Sequence, residues 1–210
     1  MTDKHGDIRR EYNFESLSKT DLHTDPLMQF GAWLDQALAA ELVDATAMTL
    51  ATADGTGRPS ARIVLLKHHD DQGLVFYSDY GSQKAADLNA NPSAELLFYW
   101  REFSRQVRVH GQVEKLSREA SEAYFQSRPR GSQLSALASK QSQPISSREE
   151  LEAQLEPWQD ADALPTPEQW GGYRLRPQRW EFWQGRDNRL HDRLVYEPAG
   201  QHWLITRLQP

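Results

Sequence analysis

Ala47-Met48-Thr49-Leu50-Ala51-Thr52 and Ser60-Ala61-Arg62-Ile63-Val64-Leu65-Leu66-Lys67 are two β-forming runs, and the turn Asp54-Gly55-Thr56-Gly57 separates them. Apolar and β-branched residues between glycine-containing turns are typical of strands joined by short connections. The same pattern predicts further strands at residues 73–78, 94–100, 105–116, 173–184, 193–196 and 202–207. Short strands in this order favour an antiparallel meander.

Helical patterns lie between these strands. Asp25 and Pro26 predict a helix start, because Asp caps free amides and Pro suits the first turn. The apolar spacing that follows continues this helix to about residue 41. Shorter helices are predicted at residues 82–89, 117–127 and 147–155, and the proline-rich residues 157–169 predict a surface loop. The predicted fold is therefore mainly β with α additions, an antiparallel barrel formed by a single domain at residues 26–210.

Composition limits the classes of function. The 210 residues include no cysteine, which excludes disulfides, thiolate metal sites and a cysteine nucleophile. The formal net charge of -6 disfavours nucleic acid as a partner. The opening MTDKHGDIRREY is too polar for a secretory signal or a spanning helix. We therefore expect a cytoplasmic protein with no membrane, nucleic-acid or metal partner, whose local arginine clusters suit small anionic ligands.

Three segments have the chemistry of anion sites. Arg62 and Lys67 bracket an apolar strand, which is either a core strand with solvated ends or an edge with anion contacts. Gly81-Ser82-Gln83-Lys84 opens a helix, where free amides favour a phosphate, although Ser82 could be a plain cap. Tyr124-Phe125-Gln126-Ser127-Arg128-Pro129-Arg130-Gly131-Ser132 gathers hydroxyls and guanidiniums, and this combination predicts a phosphate clamp or a solvated helix end.

A second group of residues could contact an aromatic ligand. Gln106 offers a donor and an acceptor, as recognition of a heterocycle edge requires. Trp183 provides an apolar wall, and Arg189 and His191 follow within a few residues, where they could project together into a cleft. His191 can handle protons near neutrality, although a single histidine is more often structural. Gln141-Ser142 lies in a polar run and is uninformative alone.

In this order, the motifs RIVLLK, SRPRGSQ, SKQS, WGGYRL, EFWQG and RLHDR resemble the pyridoxine/pyridoxamine 5'-phosphate oxidase family. The similarity extends from Arg9 to Pro210. It implies a split antiparallel β-barrel homodimer with FMN at the subunit interface. It also implies oxidation of pyridoxamine or pyridoxine 5'-phosphate by O2 to pyridoxal 5'-phosphate and H2O2.

The resemblance also assigns roles to residues. The implied FMN contacts are Arg62, Ile63, Val64, Leu65, Leu66, Lys67, Tyr77, Ser78, Gln83, Lys84, Gln106, Gln141, Ser142, Trp183 and Arg193. The substrate phosphate would meet Lys67, Tyr124, Arg128 and Ser132. Catalysis would fall to Arg189 and His191, and Leu190 would complete the substrate-binding triplet. Within a mobile N-terminal segment, residues 1–25, a lid would be formed by Arg9, Arg10, Glu11 and Tyr12.

One position departs from the family pattern. The family usually has arginine between the serine and lysine of the helix-opening motif, where this chain has Gln83. Loss of one charged contact should weaken FMN binding by about 1 to 3 kcal/mol. Two other functions remain open: a split-barrel flavin reductase acting on nicotinamides, and a non-catalytic binder of FMN or pyridoxal phosphate. The SRPRGS and RLH motifs favour the oxidase over the reductase. The intact RLH motif also argues against a non-catalytic binder, but Gln83 keeps that alternative open. In a barrel without any ligand, the positions of all these cations and amides would be a coincidence.

Overall fold

A computed structural model describes residues 16–210 as antiparallel strands with helices in the connections. The helices are α1 Pro26–Ala39, α2 Gln83–Ala90, α3 Arg118–Ser127, α4 Arg130–Ala138 and α5 Arg148–Ala153, with 3-10 turns at Lys19–Asp21, Glu156–Trp158 and Asp187–Arg189. The strands are β1 Ala47–Ala53, β2 Pro59–Leu65, β3 His68–Asp70, β4 Gly73–Asp79, β5 Ser93–Trp100, β6 Arg105–Lys115, β7 Trp170–Gln184, β8 Asp192–Ala199 and β9 His202–Leu208.

The strands predicted from the sequence all form, but their order is not a meander. Within residues 16–210 the sheet order is β2-β1-β5-β6-β7-β4-β3, and β8 pairs with both β7 and β9. Strand β4 therefore pairs with β7, far along the chain, with Ser78 opposite Gly171 and Tyr77 opposite Gly172. Local periodicity predicts strands but not such distant partners, which explains the wrong order.

Gly171 and Gly172 are required by close packing. A Cβ atom at Gly171 would collide with the Tyr80 hydroxyl, and one at Gly172 would lie 2.6 Å from Leu116 Cδ1 and 2.9 Å from Tyr77 Cε1. Residues with side chains cannot approach so closely. These glycines were predicted to precede the strand, but β7 already begins at Trp170. Gly171 thereby leaves room for the Tyr80 hydroxyl, and Gly172 leaves room for the Tyr77 ring.

One helix was missed, and the predicted surface loop has an anchor in the core. Helix α4 was not predicted, because Gly131 and several serines give residues 130–138 low helix propensity. Pro129 occupies its N-cap position with φ -54°, which fixes the chain for the first turn. The predicted surface loop 157–169 is anchored, since Leu164 is buried against Phe125 and Trp170.

The backbone contacts group the chain into two compact units. Unit 1 contains Met1–Met48, as far as it is described, with Leu96–His110 and Gln178–Pro210. Its core is aromatic: the Phe30 ring lies 4.9 Å from that of Phe98 and 5.5 Å from that of Trp180. Buried Leu17 also belongs to this unit, where its amide donates to Asp192 Oδ2 at 3.0 Å.

Unit 2 contains Thr49–Glu95 and Gly111–Pro177. Its core includes buried Phe76 stacked on Tyr173, with ring centroids 5.4 Å apart. Within the described residues, no helix combines the length and apolar character needed to cross a bilayer. The division into a mobile segment 1–25 and a single domain 26–210 stays a prediction.

Candidate active site

A pocket of about 860 Å³ in unit 2 collects most of the predicted ligand contacts. From the predicted FMN and substrate contacts it gathers Arg62, Ile63, Val64, Leu65, Lys67, Tyr77, Ser78, Gln83, Lys84, Tyr124, Arg128, Ser132, Gln141 and Ser142. Leu66 is absent from this lining because its side chain is buried in the core. Ile63 and Leu65 are instead 64% and 41% exposed, so β2 is not the core strand that one interpretation predicted.

Lys84 is a buried cation at one end of this pocket. Its Nζ donates to Gln141 Oε1 at 2.6 Å and to Ser82 Oγ at 3.2 Å. Ser78 Oγ also donates to Gln141 Oε1, at 3.1 Å. Gln141, which was uninformative in the sequence alone, therefore connects Ser78 of β4 to Lys84 of α2. Burial and then the charge of Arg62 lower the pKa of Lys84. A buried ammonium whose hydrogen-bond partners are neutral favours an anionic ligand.

The start of α2 adds donors beside Lys84. Ser82 is the N-cap residue, but its side chain makes no capping hydrogen bond. Its hydroxyl instead donates to the carbonyl of Asp79 at 2.7 Å. The first-turn amides of α2 are therefore not capped by the Ser82 side chain, and Gln83 and Lys84 of this turn line the pocket. This donor set, a cation with amides and hydroxyls, suits the phosphate of FMN.

The second cation of the pocket lies on an aromatic stack. The ring of Tyr77 is 3.9 Å from that of Tyr124 and 5.3 Å from that of Trp170. Arg128 Cζ lies 4.7 Å from the Trp170 ring centroid. Its buried Nη1 has no hydrogen-bond partner among the described residues, and burial lowers the pKa of Arg128. A buried donor without a partner is costly, so the site is built for an acceptor.

Arg128 and Arg130 have different roles, although the sequence places both in one motif. Arg130 Nη2 donates to the carbonyls of Trp158, Gln159 and Ala161 at 3.3, 2.9 and 2.7 Å. Its donors hold the loop before β7. Arg128 ends α3 in an extended conformation, φ -74° and ψ 150°, and lines the pocket.

Six further predicted contacts lie in unit 1. Arg189, Leu190 and His191 are in the turn between β7 and β8, while Trp183 and Arg193 are on the flanking strands and Gln106 is on β6. Asn188 and Arg189 have φ of 53° and 62°, a left-handed conformation that is unfavourable for residues other than glycine. Strained backbone of this kind is frequent at functional sites. Leu190 is 69% exposed at the same turn.

His191 has a defined environment at this turn. Its Nδ1 accepts from the Arg186 amide at 3.1 Å, and its ring centroid lies 4.6 Å from that of Trp183. Burial and then the charge of Arg189 lower the pKa of His191. Both effects favour the neutral imidazole, and an Nδ1 that accepts a hydrogen bond corresponds to the tautomer with the proton on Nε2.

Arg193 is held by a buried carboxylate. Its Nε donates to Glu181 Oε1 at 2.7 Å, and Arg108 and Arg179 lie 3.5 and 3.4 Å from Oε2. Burial opposes ionisation of Glu181, but the hydrogen bond from Arg193 and the surrounding arginines outweigh it and lower its pKa. Gln106 lies half-buried on β6 in the same unit. The lid residues Arg9, Arg10, Glu11 and Tyr12 lie outside the described residues.

Comparison with known proteins identifies the family. Residues 34–162 match the family described as pyridoxamine 5'-phosphate oxidase, and residues 170–210 match the pyridoxine 5'-phosphate oxidase C-terminal dimerisation region. The chain belongs to the pyridoxamine 5'-phosphate oxidase family. The predicted resemblance is thus confirmed, and the dimerisation region supports a homodimer.

Relatives named pyridoxine/pyridoxamine 5'-phosphate oxidase extend this match over nearly the full length. The one from Rubrobacter xylanophilus is 54% identical over 97% of this chain and 95% of its own. The one from Bordetella pertussis is 52% identical over 97% of this chain and 98% of its own. Both alignments span the pocket motifs and the RLHDR turn of this chain.

Solved structures of the pyridoxamine 5'-phosphate oxidase type confirm the fold class. PhzG from Burkholderia lata 383, solved with tetrahydrophenazine-1-carboxylic acid, has a TM-score of 0.88 and 34% identity over 94% of this chain and 99% of its own. An FMN-binding protein from Nostoc punctiforme has a TM-score of 0.71 at 22% identity, covering 86% of this chain and 96% of its own. The predicted split antiparallel β-barrel with α additions is therefore correct.

Several pocket residues were not predicted. Asp79, Pro129, Ser135, Ala136, Ser139 and Trp170 line the pocket beside the predicted contacts. Trp170 belongs to the quoted WGGYRL motif, so that motif was the available signal. Ser135 lies within α4, which the sequence did not predict, and no sequence signal distinguishes it from other serines. Ser139 is the C-cap residue of α4 and begins the quoted SKQS motif, so that motif was its signal.

Proposed function

We propose that this chain is an FMN-dependent oxidase that converts pyridoxamine or pyridoxine 5'-phosphate, with O2, into pyridoxal 5'-phosphate and hydrogen peroxide. The amine substrate would also release ammonia. FMN is the cofactor of the family, and the relatives at 54% and 52% identity are named for this substrate pair. The observation that supports the proposal most strongly is the presence in one pocket of two separate cations, the buried Lys84 and the half-buried Arg128 with its buried, unpartnered Nη1.

The FMN phosphate is assigned to the end of the pocket at Lys84. Lys84, Ser78 and Gln141 already form a connected set of donors and acceptors there, and Arg62 lines the same pocket. From unit 1, Gln106, Trp183 and Arg193 are proposed as further FMN contacts. FMN held by these residues would supply the acceptor for a hydride equivalent from the substrate carbon, with O2 as the final electron acceptor.

The substrate phosphate is assigned to the end of the pocket at Arg128. Arg128 brings the unpartnered Nη1, and Lys67, Tyr124 and Ser132 supply an ammonium and hydroxyls in the same lining. Guanidinium and phosphate match in geometry and can form two parallel hydrogen bonds. The phosphate is remote from the reacting carbon, and binding it at Arg128 would fix the position of that carbon.

Arg189 and His191 are proposed to orient the substrate ring and assist proton movement. The hydrogen bond from the Arg186 amide to His191 Nδ1 fixes the orientation of the imidazole ring. Arg189 adds a fixed positive charge two residues away. The left-handed backbone at Arg189 defines the direction in which this turn presents both residues.

A homodimer with FMN at its interface is proposed together with this function. The exposed apolar side chains of Ile63 and Leu65 on edge strand β2 support it, because such side chains are commonly covered by a partner. A lid formed by Arg9 to Tyr12, O2 as the oxidant and a cytoplasmic location are parts of the same proposal.

The test is product formation by the FMN-loaded protein in air. With pyridoxamine 5'-phosphate we expect pyridoxal 5'-phosphate, hydrogen peroxide and ammonia in equal amounts. Pyridoxamine without phosphate should react far less well, because the clamp at Arg128 has nothing to bind. Rapid NADH oxidation without any pyridoxal 5'-phosphate would instead indicate a flavin reductase, and binding without turnover would indicate a carrier.

A further inference from the structure

Asp87 on α2 is a buried acid behind the anion pocket, with a relative exposure of 2%. Its Oδ2 accepts from Thr52 Oγ1 and Ser60 Oγ, both at 2.6 Å, and its Oδ1 accepts from Gln83 Nε2 at 2.8 Å. Burial opposes its ionisation, but these hydrogen bonds and the charge of Arg62 outweigh burial and lower the pKa of Asp87 to about 2. The carboxylate therefore stays charged throughout the physiological pH range.

Arg62 is the cation that Asp87 faces. Arg62 Nη2 lies 3.5 Å from Asp87 Oδ2 and donates to Ser60 Oγ at 2.5 Å. Its Nη1 donates to Thr52 Oγ1 at 2.8 Å and to the Leu50 carbonyl at 3.2 Å. Both terminal nitrogens are thus directed at protein acceptors, although Arg62 lines the pocket. A bound phosphate has to compete with Asp87 for this guanidinium.

The charges at this end of the pocket nearly cancel. Arg62 and Lys84 are the cations, Asp87 faces Arg62, and the charge of Asp79 acts on Lys84. Gln83 contributes no charge, and its amide is directed to Asp87. The end of the pocket assigned to a phosphate dianion therefore has a formal charge of zero over these four ionisable side chains.

We propose that Asp87 is a positioning residue that acts through Arg62: it holds the guanidinium against β1 and β2, offsets its charge and thereby limits the affinity for the FMN phosphate. The inference rests on the proposed assignment of FMN to this pocket. It extends that assignment by naming the residue that sets the strength of binding.

The substitution Asp87→Asn separates charge from shape. An asparagine oxygen can still accept from Thr52 and Ser60, and its amide can face Gln83 if that side chain turns its oxygen inward. Arg62 keeps its bonds to Leu50, Thr52 and Ser60 while its charge is no longer offset. Removal of the opposing charge should tighten FMN binding on the order of tenfold, a gain of the size of one charged hydrogen bond.

The experiment removes FMN from the dimer and titrates it back while following flavin fluorescence. Asp87→Asn should lower the Kd of FMN about tenfold and increase its salt dependence, since more net positive charge faces the phosphate. Asp87→Glu restores the carboxylate and should return the Kd to the wild-type value or above it. Asp71→Asn makes the same charge change at an exposed residue outside the pocket lining and should leave the Kd unchanged.

The double variant Arg62→Gln with Asp87→Asn tests the route of the effect. If Asp87 acts through Arg62, the gain from Asp87→Asn disappears in the Arg62→Gln background. An equal gain in both backgrounds would show direct repulsion between Asp87 and the phosphate and overturn the proposal. Weaker FMN binding by Asp87→Asn, with apoprotein that melts at the wild-type temperature, would overturn it too. A wild-type protein that does not bind FMN would instead refute the proposed function.

Discussion

Replacing Arg128 with methionine should weaken substrate binding while stabilising the free protein. In the free protein Arg128 Nη1 is buried without a partner among residues 16–210, which costs about 1 to 3 kcal/mol. The cation–π contact of Arg128 Cζ with the Trp170 ring, 4.7 Å from the ring centroid, offsets about 1 kcal/mol of this cost. Methionine fills the same space without a donor. We therefore expect Arg128→Met to raise the free energy of unfolding by about 1 kcal/mol.

The substrate should respond in the opposite direction. Loss of charged hydrogen bonds to the substrate phosphate costs about 1.5 to 3 kcal/mol, which raises KM on the order of 10- to 100-fold. Steady-state kinetics with pyridoxine 5'-phosphate measure KM, and urea unfolding of the protein without substrate measures stability. The flavin spectrum should be unchanged, because Arg128 is assigned to the substrate end of the pocket.

Arg130→Met is the matched control for this prediction. Arg130 belongs to the same motif, but its donors bond the carbonyls of Trp158, Gln159 and Ala161. This variant should lose stability and keep its KM within about twofold, because no phosphate contact is removed. An unchanged KM in Arg128→Met, or equal increases in both variants, would refute the separation of roles between the two arginines.

Three further predictions concern the turn between β7 and β8 and the start of α2. The double variant Arg189→Ala with His191→Ala should reduce turnover severely while FMN stays bound, and near-normal turnover would contradict the assigned roles. The His191 imidazole should titrate by NMR below its ordinary pKa of 6.5, because burial and Arg189 favour the neutral form, and Arg189→Met should move the midpoint upward. A midpoint above 6.5 in the wild type would contradict this environment. Gln83→Arg should tighten FMN binding, because an arginine there adds a cation or draws Asp87 away from Arg62. A fluorescence titration with FMN measures this change. Unchanged or weaker affinity would count against placing residue 83 near the phosphate.

The strands and most helices could be predicted because their signals are local. Period-two patterns and glycine turns marked the strands, and Asp25 with Pro26 marked the start of α1, where Asp25 Oδ1 does accept from the Leu27 amide at 2.8 Å. The pairing of β4 with β7 could not be predicted, because a strand pattern does not specify its partner. Helix α4 forms despite poor propensity, with Gln133 of α4 donating to the Phe125 carbonyl of α3 at 3.0 Å.

The site was predictable as a set of residue types but not as a geometry. The motifs indicated cations and hydroxyls, yet Arg128 and Arg130 look alike in sequence and only the structure shows which one lacks a partner. Leu66 was predicted as an FMN contact together with its neighbours in RIVLLK, but its side chain is buried in the core. Asp87 had no signal at all, because a single acid in a short helix is usually solvent-exposed.

Anaerobic reduction of the flavin tests the central claim most directly. Pyridoxine 5'-phosphate is added to the purified, FMN-loaded protein without oxygen, and absorbance near the flavin maximum is followed. Substrate should bleach the flavin, and the absorbance should recover fully when air is admitted. An absorbance that stays unchanged with saturating pyridoxine or pyridoxamine 5'-phosphate, in protein shown to contain FMN, would contradict it.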